Sequence, residues 1–189
     1  MTKTEQELAR MMSGELYDAT HNETLLSLLT QTQERCYDYN RLRPSQVTER
    51  EALIRGLLGK TGKRFKIISP FFCDYGFNIE IGENFFANTN LVILDEARVS
   101  FGDNVFIAPN CAFYTAGHPL DVAQRNAGLE YSKPISVGND VWIGGNVCVM
   151  PGVSIGDGTV IGGGSVVVHD IPGGVLAVGN PCRPIRSLY

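Results

Sequence analysis

The chain has 189 residues, of which 43% are hydrophobic and 19% charged, and this composition is typical of a folded domain rather than of a disordered one. Its formal net charge is −4, so it lacks the overall basic character of a nucleic-acid-binding domain. The five cysteines are odd in number and widely spaced, without a CxxC motif, which argues against a zinc ribbon or a disulfide framework.

The N-terminal residues MTKTEQELARMM have no apolar segment typical of a secretion signal. No apolar run in the sequence approaches the length of a membrane span. We therefore expect a protein of the reducing cytoplasm that binds neither membranes nor nucleic acid.

Residues 1–60 are predicted to form a helical N-terminal cap. Apolar residues at helical spacing from Leu25 to Tyr39 predict an amphipathic helix, and a shorter helix is expected over residues 4–12. Pro44 begins a second helical stretch, which Gly59 should end. Such a cap would cover the open end of a repeat domain, where unpaired strand groups and core side chains are otherwise exposed.

From about residue 65 the sequence acquires a six-residue period, which is most regular toward the C-terminus. Aliphatic residues occupy the period at Val137, Ile143, Val149, Ile155, Ile161 and Val167. A helix recurs at three and four residues and a single flat strand at two, so neither explains a period of six. A chain that coils in short strands and turns a corner every six residues does explain it, so residues 61–189 are predicted to form a parallel β-helix. The same period runs over residues 79–113, with a two-residue slip near Val99.

Residues 114–134 interrupt the repeat with a polar excursion that contains His118 between Gly117 and Pro119. Long loops in compact folds are often functional, and a repeat domain tolerates insertions at its corners. A histidine presented in this way can take a proton from a hydroxyl group, although a solvated loop histidine fits the spacing equally well.

Other chemistry-bearing patterns are weak in this sequence. His21, His118 and His169 lie at no metal-ligand spacing, so no metal site is expected within one chain. Trp142 lies between residues that should point inward, so it should point outward and be covered by a partner chain or a ligand. One buried aliphatic residue contributes roughly 1.5–3 kcal/mol, whereas each ordered backbone residue costs roughly 1–2 kcal/mol. We therefore expect association with further copies of the chain.

Several segments together resemble the maltose and galactoside O-acetyltransferases of the hexapeptide-repeat acyltransferases: GELYDA, CDYGFNIEIGENFFAN, YTAGHP, PISVGNDVWIGGNVCVMPGVSIGDGTVIGGGSVV and VGNPCRPIR. The resemblance covers nearly the whole chain. It implies a left-handed parallel β-helix, a homotrimer with its active sites between subunits, and acetyl transfer from acetyl-CoA to a sugar hydroxyl without a metal. Direct transfer, without an acetyl-enzyme, is implied as well.

The resemblance also implies roles for individual residues. His118 would be the general base, Asn88 would lie near the acceptor and the developing charge, and backbone N–H groups near Gly145 would stabilise the oxyanion. The implied acceptor-side residues are Asp18, Asp74, Phe86 and Glu96. The implied coenzyme-side residues are Trp142, Gly145, Gly163, Val168, His169, Arg183 and Arg186.

The sequence departs from the family pattern at four of these positions. Many relatives carry threonine and lysine where this chain has Val168 and His169, which weakens the case for a salt bridge to a coenzyme phosphate there. Galactoside-type members have serine and tyrosine where this chain has Asp74 and Phe86, so the chain looks more like the maltose type.

Three alternatives stay open at this point. The same fold could acetylate another acceptor, such as serine, an antibiotic or an oligosaccharide. It could be a γ-type carbonic anhydrase, but that class needs three histidines at a subunit interface, and the histidine spacing here does not offer them. It could also be a non-catalytic scaffold, against which the His118 excursion and the outward Trp142 argue.

Overall fold

The computed structural model describes residues 3–189. Helices α1 (Lys3–Ser13), α2 (Glu23–Arg41) and α3 (Val47–Leu57) come first, with the short strand β1 (Tyr17–Asp18) between α1 and α2. The side chain of Asn22 caps α2 by accepting hydrogen bonds from the next backbone N–H groups, and α3 ends shortly before Gly59. The predicted helices are therefore confirmed. No helix among the described residues combines the length and apolarity that crossing a membrane requires.

The remaining chain coils into a prism with three sheet faces. Its strands and its one-and-a-half-turn helix are β2 (Phe65–Ile67), β3 (Phe71–Cys73), β4 (Ile79–Ile81), β5 (Phe85–Ala87), β6 (Leu91–Leu94), β7 (Val99–Phe101), β8 (Phe106–Ile107), β9 (Ala112–Tyr114), β10 (Ala116–Gly117), α4 (Val122–Asn126), β11 (Leu129–Ser132), β12 (Ile135–Val137), β13 (Trp142–Ile143), β14 (Cys148–Val149), β15 (Ser154–Ile155), β16 (Val160–Ile161), β17 (Val166–Val167), β18 (Val175–Val178) and β19 (Arg183–Ser187). The first face has the order β15-β12-β7-β4, the second β19-β18-β16-β13-β8-β5-β2, and the third β17-β14-β9-β6-β3.

Parallel pairing stacks equivalent positions of successive coils. Phe86 pairs with Phe106, Phe106 with Trp142, and Trp142 with Val160. The residues of the six-residue period point inward and are buried, whereas Trp142 points outward and is 56% exposed. The hexapeptide-repeat β-helix predicted from the sequence is thus confirmed, as is the outward direction of Trp142.

The corners of the coil explain its richness in asparagine and glycine. Asn84, Asn104 and Asp140 stack at one corner, and each has a positive φ, which asparagine tolerates better than most residues. The Nδ2 group of Asn84 donates to Oδ1 of Asn104 (3.0 Å), and that of Asn104 donates to Oδ1 of Asp140 (2.9 Å). Gly158 takes a positive φ at a later corner of the chain. The glycines are corner residues, as the sequence indicated.

The excursion is more ordered than its sequence predicted. Strand β10 pairs antiparallel with β11, and β1 from the N-terminal region pairs with the other edge of β11. The hydroxyl of Ser132 also donates to the carbonyl oxygen of Met11 (2.5 Å). The polar segment is therefore part of a three-stranded sheet that joins α1 and β1 to the coil.

Two cores anchor the helices. Ile54 and Leu57 of α3 belong to the main core, which runs through the coil. Met11, Tyr17 and Leu25 pack with Tyr75 in a separate small core beside the excursion. Helix α3 thus covers the end of the coil, whereas α1 and β1 support the segment that carries His118.

Candidate active site

His118 lies directly after β10, with 54% of its side chain exposed. Its Nδ1 atom is 3.2 Å from the carbonyl oxygen of Leu129, and its Nε2 atom is 3.6 Å from Oε1 of Glu130. A carbonyl oxygen can only accept a hydrogen bond, so the tautomer that satisfies this contact carries its proton on Nδ1. Nε2 then keeps the lone pair that a general base needs.

Glu130 is fixed beside this imidazole by Tyr17. The pairing of β1 with β11 sets Tyr17 opposite Glu130, and the Tyr17 hydroxyl donates to Oε2 of Glu130 (2.7 Å). Burial, and then the charge of Glu130, raises the pKa of Tyr17, so the phenol stays a neutral donor. The sequence analysis missed both residues. The available signals were that Glu130 is a carboxylate within the excursion and that Tyr17 precedes Asp18.

A buried carboxyl group lies close to this pair. Glu96 is 6% exposed, and its Oε2 atom is 3.2 Å from Oγ1 of Thr115. Burial raises the pKa of Glu96 to about 9, and a hydrogen bond with Asp74 and the charges of Asp74 and Glu130 act in the same direction. Glu96 is therefore protonated at neutral pH and can donate a hydrogen bond.

Asp95 holds the backbone that carries Asp74. Its Oδ1 atom accepts hydrogen bonds from the N–H groups of Asp74 (3.1 Å) and Tyr75 (2.8 Å). Burial raises the pKa of Asp95 to about 7, and the charge of Asp74 acts in the same direction, although hydrogen bonds from the backbone N–H groups of Tyr75, Gly76 and Asn78 oppose it. Asp95 thus shapes the turn that brings Asp74 next to Glu96.

Asp18 reaches the same region through β1. It pairs with Leu129, the residue whose carbonyl oxygen contacts His118. Its Oδ1 atom accepts hydrogen bonds from the N–H groups of Thr20 (3.1 Å) and His21 (2.9 Å). Burial acts to raise the pKa of Asp18, but these hydrogen bonds outweigh it and lower the pKa. We call the group Tyr17, Asp18, Asp74, Glu96, His118 and Glu130 the acceptor-side cluster.

A second group of the sequence-predicted residues lies on the second face of the coil. Phe86, Phe106 and Trp142 form a row of outward side chains, and the ring centroids of the two phenylalanines are 6.4 Å apart. Together with Asn88 they line an open groove of about 460 Å³. Phe86, expected on the acceptor side, therefore shares a surface with Trp142, expected on the coenzyme side. We call this row with Asn88 the aromatic groove.

The other expected coenzyme-side residues are spread over the second and third faces. Gly145 and Gly163 stack closely, because a Cβ atom on Gly163 would lie 3.1 Å from the carbonyl oxygen of Gly145. Arg183 and Arg186 are exposed on β19, the strand at the edge of that face. The remaining two, Val168 and His169, are exposed directly after β17.

The acceptor-side cluster and the aromatic groove lie on different sides of one chain. His118 follows β9 of the third face, whereas Asn88 and Trp142 belong to the second face. Within residues 3–189, no three histidine, cysteine, aspartate or glutamate side chains are grouped so that they could hold a metal ion.

Comparison with protein families gives two matches. The maltose acetyltransferase hexapeptide capping motif matches residues 10–62, and the bacterial transferase hexapeptide (six repeats) matches residues 134–169. A putative acetyltransferase of Saccharomyces cerevisiae is 52% identical over 181 residues, which cover 96% of this chain and 92% of that protein.

Two solved structures are similar over nearly their full length. A maltose O-acetyltransferase from Clostridium difficile 630 has a TM-score of 0.95 and 44% identity, with 97% of each chain covered. A galactoside acetyltransferase in complex with coenzyme A has a TM-score of 0.91 and 43% identity, with 100% of this chain and 92% of that chain covered.

Proposed function

We propose a specific reaction for this chain, which belongs to the maltose and galactoside O-acetyltransferases of the hexapeptide-repeat family and is therefore an acyltransferase. It transfers the acetyl group of acetyl-CoA to a hydroxyl group of a sugar such as glucose or maltose. The maltose O-acetyltransferase and the coenzyme A complex among its structural neighbours support this acceptor and this donor. The arrangement of His118 between Leu129 and Glu130 carries the proposal.

His118 acts as the general base. Its Nε2 atom takes the proton of the sugar hydroxyl while the oxygen attacks the thioester carbonyl carbon. The carbonyl oxygen of Leu129 holds the ring at Nδ1, and the Glu130 carboxylate stabilises the imidazolium that forms. Collapse of the tetrahedral intermediate breaks the carbon–sulfur bond, and the imidazolium returns its proton to the thiolate of coenzyme A.

The oxyanion of the intermediate needs hydrogen-bond donors, which typically contribute about 3–4 kcal/mol each. Backbone N–H groups near Gly145 supply them, and Asn88 assists near the developing charge. Gly145 lies at a corner of the coil and has no side chain to cover its backbone, so coenzyme can approach the backbone there.

The acceptor-side cluster binds the sugar. Protonated Glu96 donates to Asp74 and holds that carboxylate in place, and the carboxylates of Asp18 and Asp74 accept hydrogen bonds from sugar hydroxyls. Phe86 in the aromatic groove of a neighbouring copy adds an apolar wall. Because Tyr17 and Asp18 belong to residues 1–60, we assign the helical cap to acceptor binding and residues 61–189 to acetyl transfer.

The enzyme acts as a homotrimer. The second face exposes its aromatic row, and the third face also exposes an aromatic side chain, Phe72. A contact between two different patches of identical chains generates a ring when the rotation closes. Packing the second face of one copy against the third face of the next brings His118 toward the neighbour's aromatic groove. Coenzyme then lies between subunits, near Trp142, Gly145, Gly163, Val168, His169, Arg183 and Arg186.

The experiment is to mix the protein with acetyl-CoA and maltose or glucose and to measure free thiol. His118→Ala should lower the rate of thiol release by about 100-fold or more, because general-base catalysis contributes about 10²–10⁴-fold. Coenzyme A binding, measured by calorimetry, should persist. Gln124→Ala, on the exposed surface of α4 in the same excursion, is the control for loop integrity. Equal thiol release by wild type and His118→Ala would remove His118 from the mechanism.

A screen of further acceptors tests the sugar assignment separately. Serine, an aminoglycoside and a chito-oligosaccharide should be acetylated more slowly than glucose or maltose at equal concentrations. Faster transfer to one of them would keep the reaction and replace the acceptor.

A further inference from the structure

We propose that Cys36 and Cys73 form a reversible disulfide that fastens the helical cap to the coil. The two Sγ atoms are 3.8 Å apart, and the residues come from α2 and β3. Cys36 is 2% exposed and Cys73 is 5% exposed, and both are free thiols in this structure. Neither thiol takes part in the proposed acetyl transfer, so their proximity needs another explanation.

Hydrogen bonds on both sides of the pair hold the thiols face to face. One turn before Cys36 in α2, the Thr32 hydroxyl donates to the carbonyl oxygen of Tyr75 (3.1 Å). One turn after it, the Asn40 amide exchanges two hydrogen bonds of 2.9 Å with the backbone of Phe71. A disulfide needs an S–S distance of about 2.05 Å, so a small local movement of the two side chains is sufficient.

The other cysteines have different partners. The Cys111 thiol donates to the carbonyl oxygen of Gly144 (3.1 Å), and that of Cys148 lies 3.8 Å from Sδ of Met150. Among these contacts, the one between Cys36 and Cys73 is the one that joins two thiols from separate elements.

The surroundings of the two thiols differ, and the difference decides which thiol reacts with an oxidant and which one completes the disulfide. The contact between the two thiols lowers the pKa of Cys36, whereas the same contact, together with burial, raises the pKa of Cys73. Cys36 is therefore the thiolate that reacts with an oxidant, and Cys73 is the resolving thiol.

Hydrogen peroxide is the oxidant we assign to this step. The Cys36 thiolate attacks one peroxide oxygen, which breaks the O–O bond and gives a sulfenic acid and hydroxide. The Cys73 sulfur then attacks the Cys36 sulfur and expels water after proton transfer. In total, two thiols and one peroxide give one disulfide and two water molecules. Local opening of the seam between α2 and β3 admits a molecule of this size.

The bond would form next to the acceptor-side cluster. Cys73 directly precedes Asp74, and the cap that carries Cys36 also carries Tyr17 and Asp18. The disulfide would hold these two walls of the cluster together. This consequence rests on the proposed function, whereas the bond itself does not.

The test uses the purified full chain, freed of reductant and treated with hydrogen peroxide, then alkylated under denaturing conditions. Mass spectrometry should find a linked Cys36–Cys73 peptide, three of the five cysteines alkylated, and reversal by dithiothreitol. Closing a loop of this length should raise Tm by about 5 °C or more. Full alkylation of all five cysteines after peroxide, or a different linked pair, would overturn the proposal.

Single variants keep the result interpretable. Cys36→Ser and Cys73→Ser should each abolish the linked peptide and the Tm rise, and either one suffices if the other fails to fold. Cys111→Ser, which removes a buried thiol elsewhere in the coil, should leave both intact. A linked peptide without a Tm rise would contradict a role in fastening the cap.

Discussion

The aromatic groove and the acceptor-side cluster of this protein are built in opposite ways. Each aromatic residue of the groove occupies the same outward position in its own coil, and neighbouring residues are paired along a parallel ladder. In the cluster, each side chain depends on another: Tyr17 holds Glu130, Glu130 faces His118, and Asp74 raises the pKa of Glu96. Substitutions in the groove should therefore act independently, whereas those in the cluster should be strongly coupled.

Among the substitutions that test this contrast, the largest effect is expected for Glu130→Gln, which keeps the shape of the side chain and removes its charge. The imidazolium formed at His118 then loses the carboxylate 3.6 Å from Nε2, so kcat should fall by about 10- to 100-fold. KM for acetyl-CoA should stay unchanged. Steady-state kinetics measure both constants.

A double-mutant cycle tests the coupling itself. Tyr17→Phe should cost less activity in the Glu130→Gln background than in the wild type, because a hydrogen bond to a neutral amide is weaker than one to a carboxylate. Glu83→Gln, at an exposed corner of the coil, is the matched control and should keep wild-type rates. Strictly additive losses for Tyr17 and Glu130 would contradict a coupled cluster.

The same contrast explains what the sequence could and could not predict. The period of six was sufficient to predict the coil, its corners and the outward position of Trp142, because repeat geometry follows from local spacing. Tyr17 and Glu130 meet across 113 positions of sequence through the pairing of β1 with β11, and no local pattern specifies that register. For the same reason the excursion was expected as a polar loop, although it contains paired strands.

Trp142→Ala should have the next largest effect, confined to coenzyme binding and assembly. It removes an outward aromatic side chain that the proposed neighbour and coenzyme cover, so KM for acetyl-CoA should rise about 10-fold and the trimer should dissociate at higher protein concentration. Kinetics and light scattering over a dilution series measure these changes, and kcat should fall little.

Tyr37→Ala is the control, since Tyr37 is an aromatic residue on α2 with 54% exposure, close to that of Trp142. It should change neither the coenzyme KM nor the particle mass. Combining Trp142→Ala with Phe106→Ala should give nearly additive losses, and strong coupling between them would erase the distinction from the acceptor-side cluster.

Two buried carboxyl groups, Glu96 of the acceptor-side cluster and Asp95 beside it, should make stability fall as pH rises. Folding raises the pKa of Glu96 to about 9 and that of Asp95 to about 7, so above the carboxyl pKa of the unfolded chain the folded state holds protons that unfolding releases. One proton held only by the folded state changes the free energy of unfolding by about 1.4 kcal/mol per pH unit, so Glu96 alone should lower Tm by roughly 6–12 °C between pH 6 and 8.

Glu96→Gln keeps a neutral hydrogen-bond donor and removes the ionisation. Its Tm should therefore depend less on pH than that of the wild type, above all between pH 7 and 9, where Asp95 is already ionised. Glu83→Gln again serves as the control, because a hydrogen bond from Arg64 lowers the pKa of Glu83, so that it does not titrate in this range. A wild-type Tm that rises over this range would mean that Glu96 is ionised in the folded protein.

The smallest effect is expected at the corners of the coil, where substitutions touch only local conformation. Asn104 has a φ of 56° and bonds to Asn84 and Asp140 through an exposed ladder. Asn104→Ala should cost about 1 kcal/mol, or about 2–4 °C in Tm, because alanine tolerates a positive φ poorly, whereas Asn104→Gly should be nearly neutral. Calorimetry separates the two causes: equal losses for both variants would assign the cost to the ladder hydrogen bonds rather than to the backbone. In either case kcat should stay at the wild-type value, since this corner contacts neither the aromatic groove nor the acceptor-side cluster.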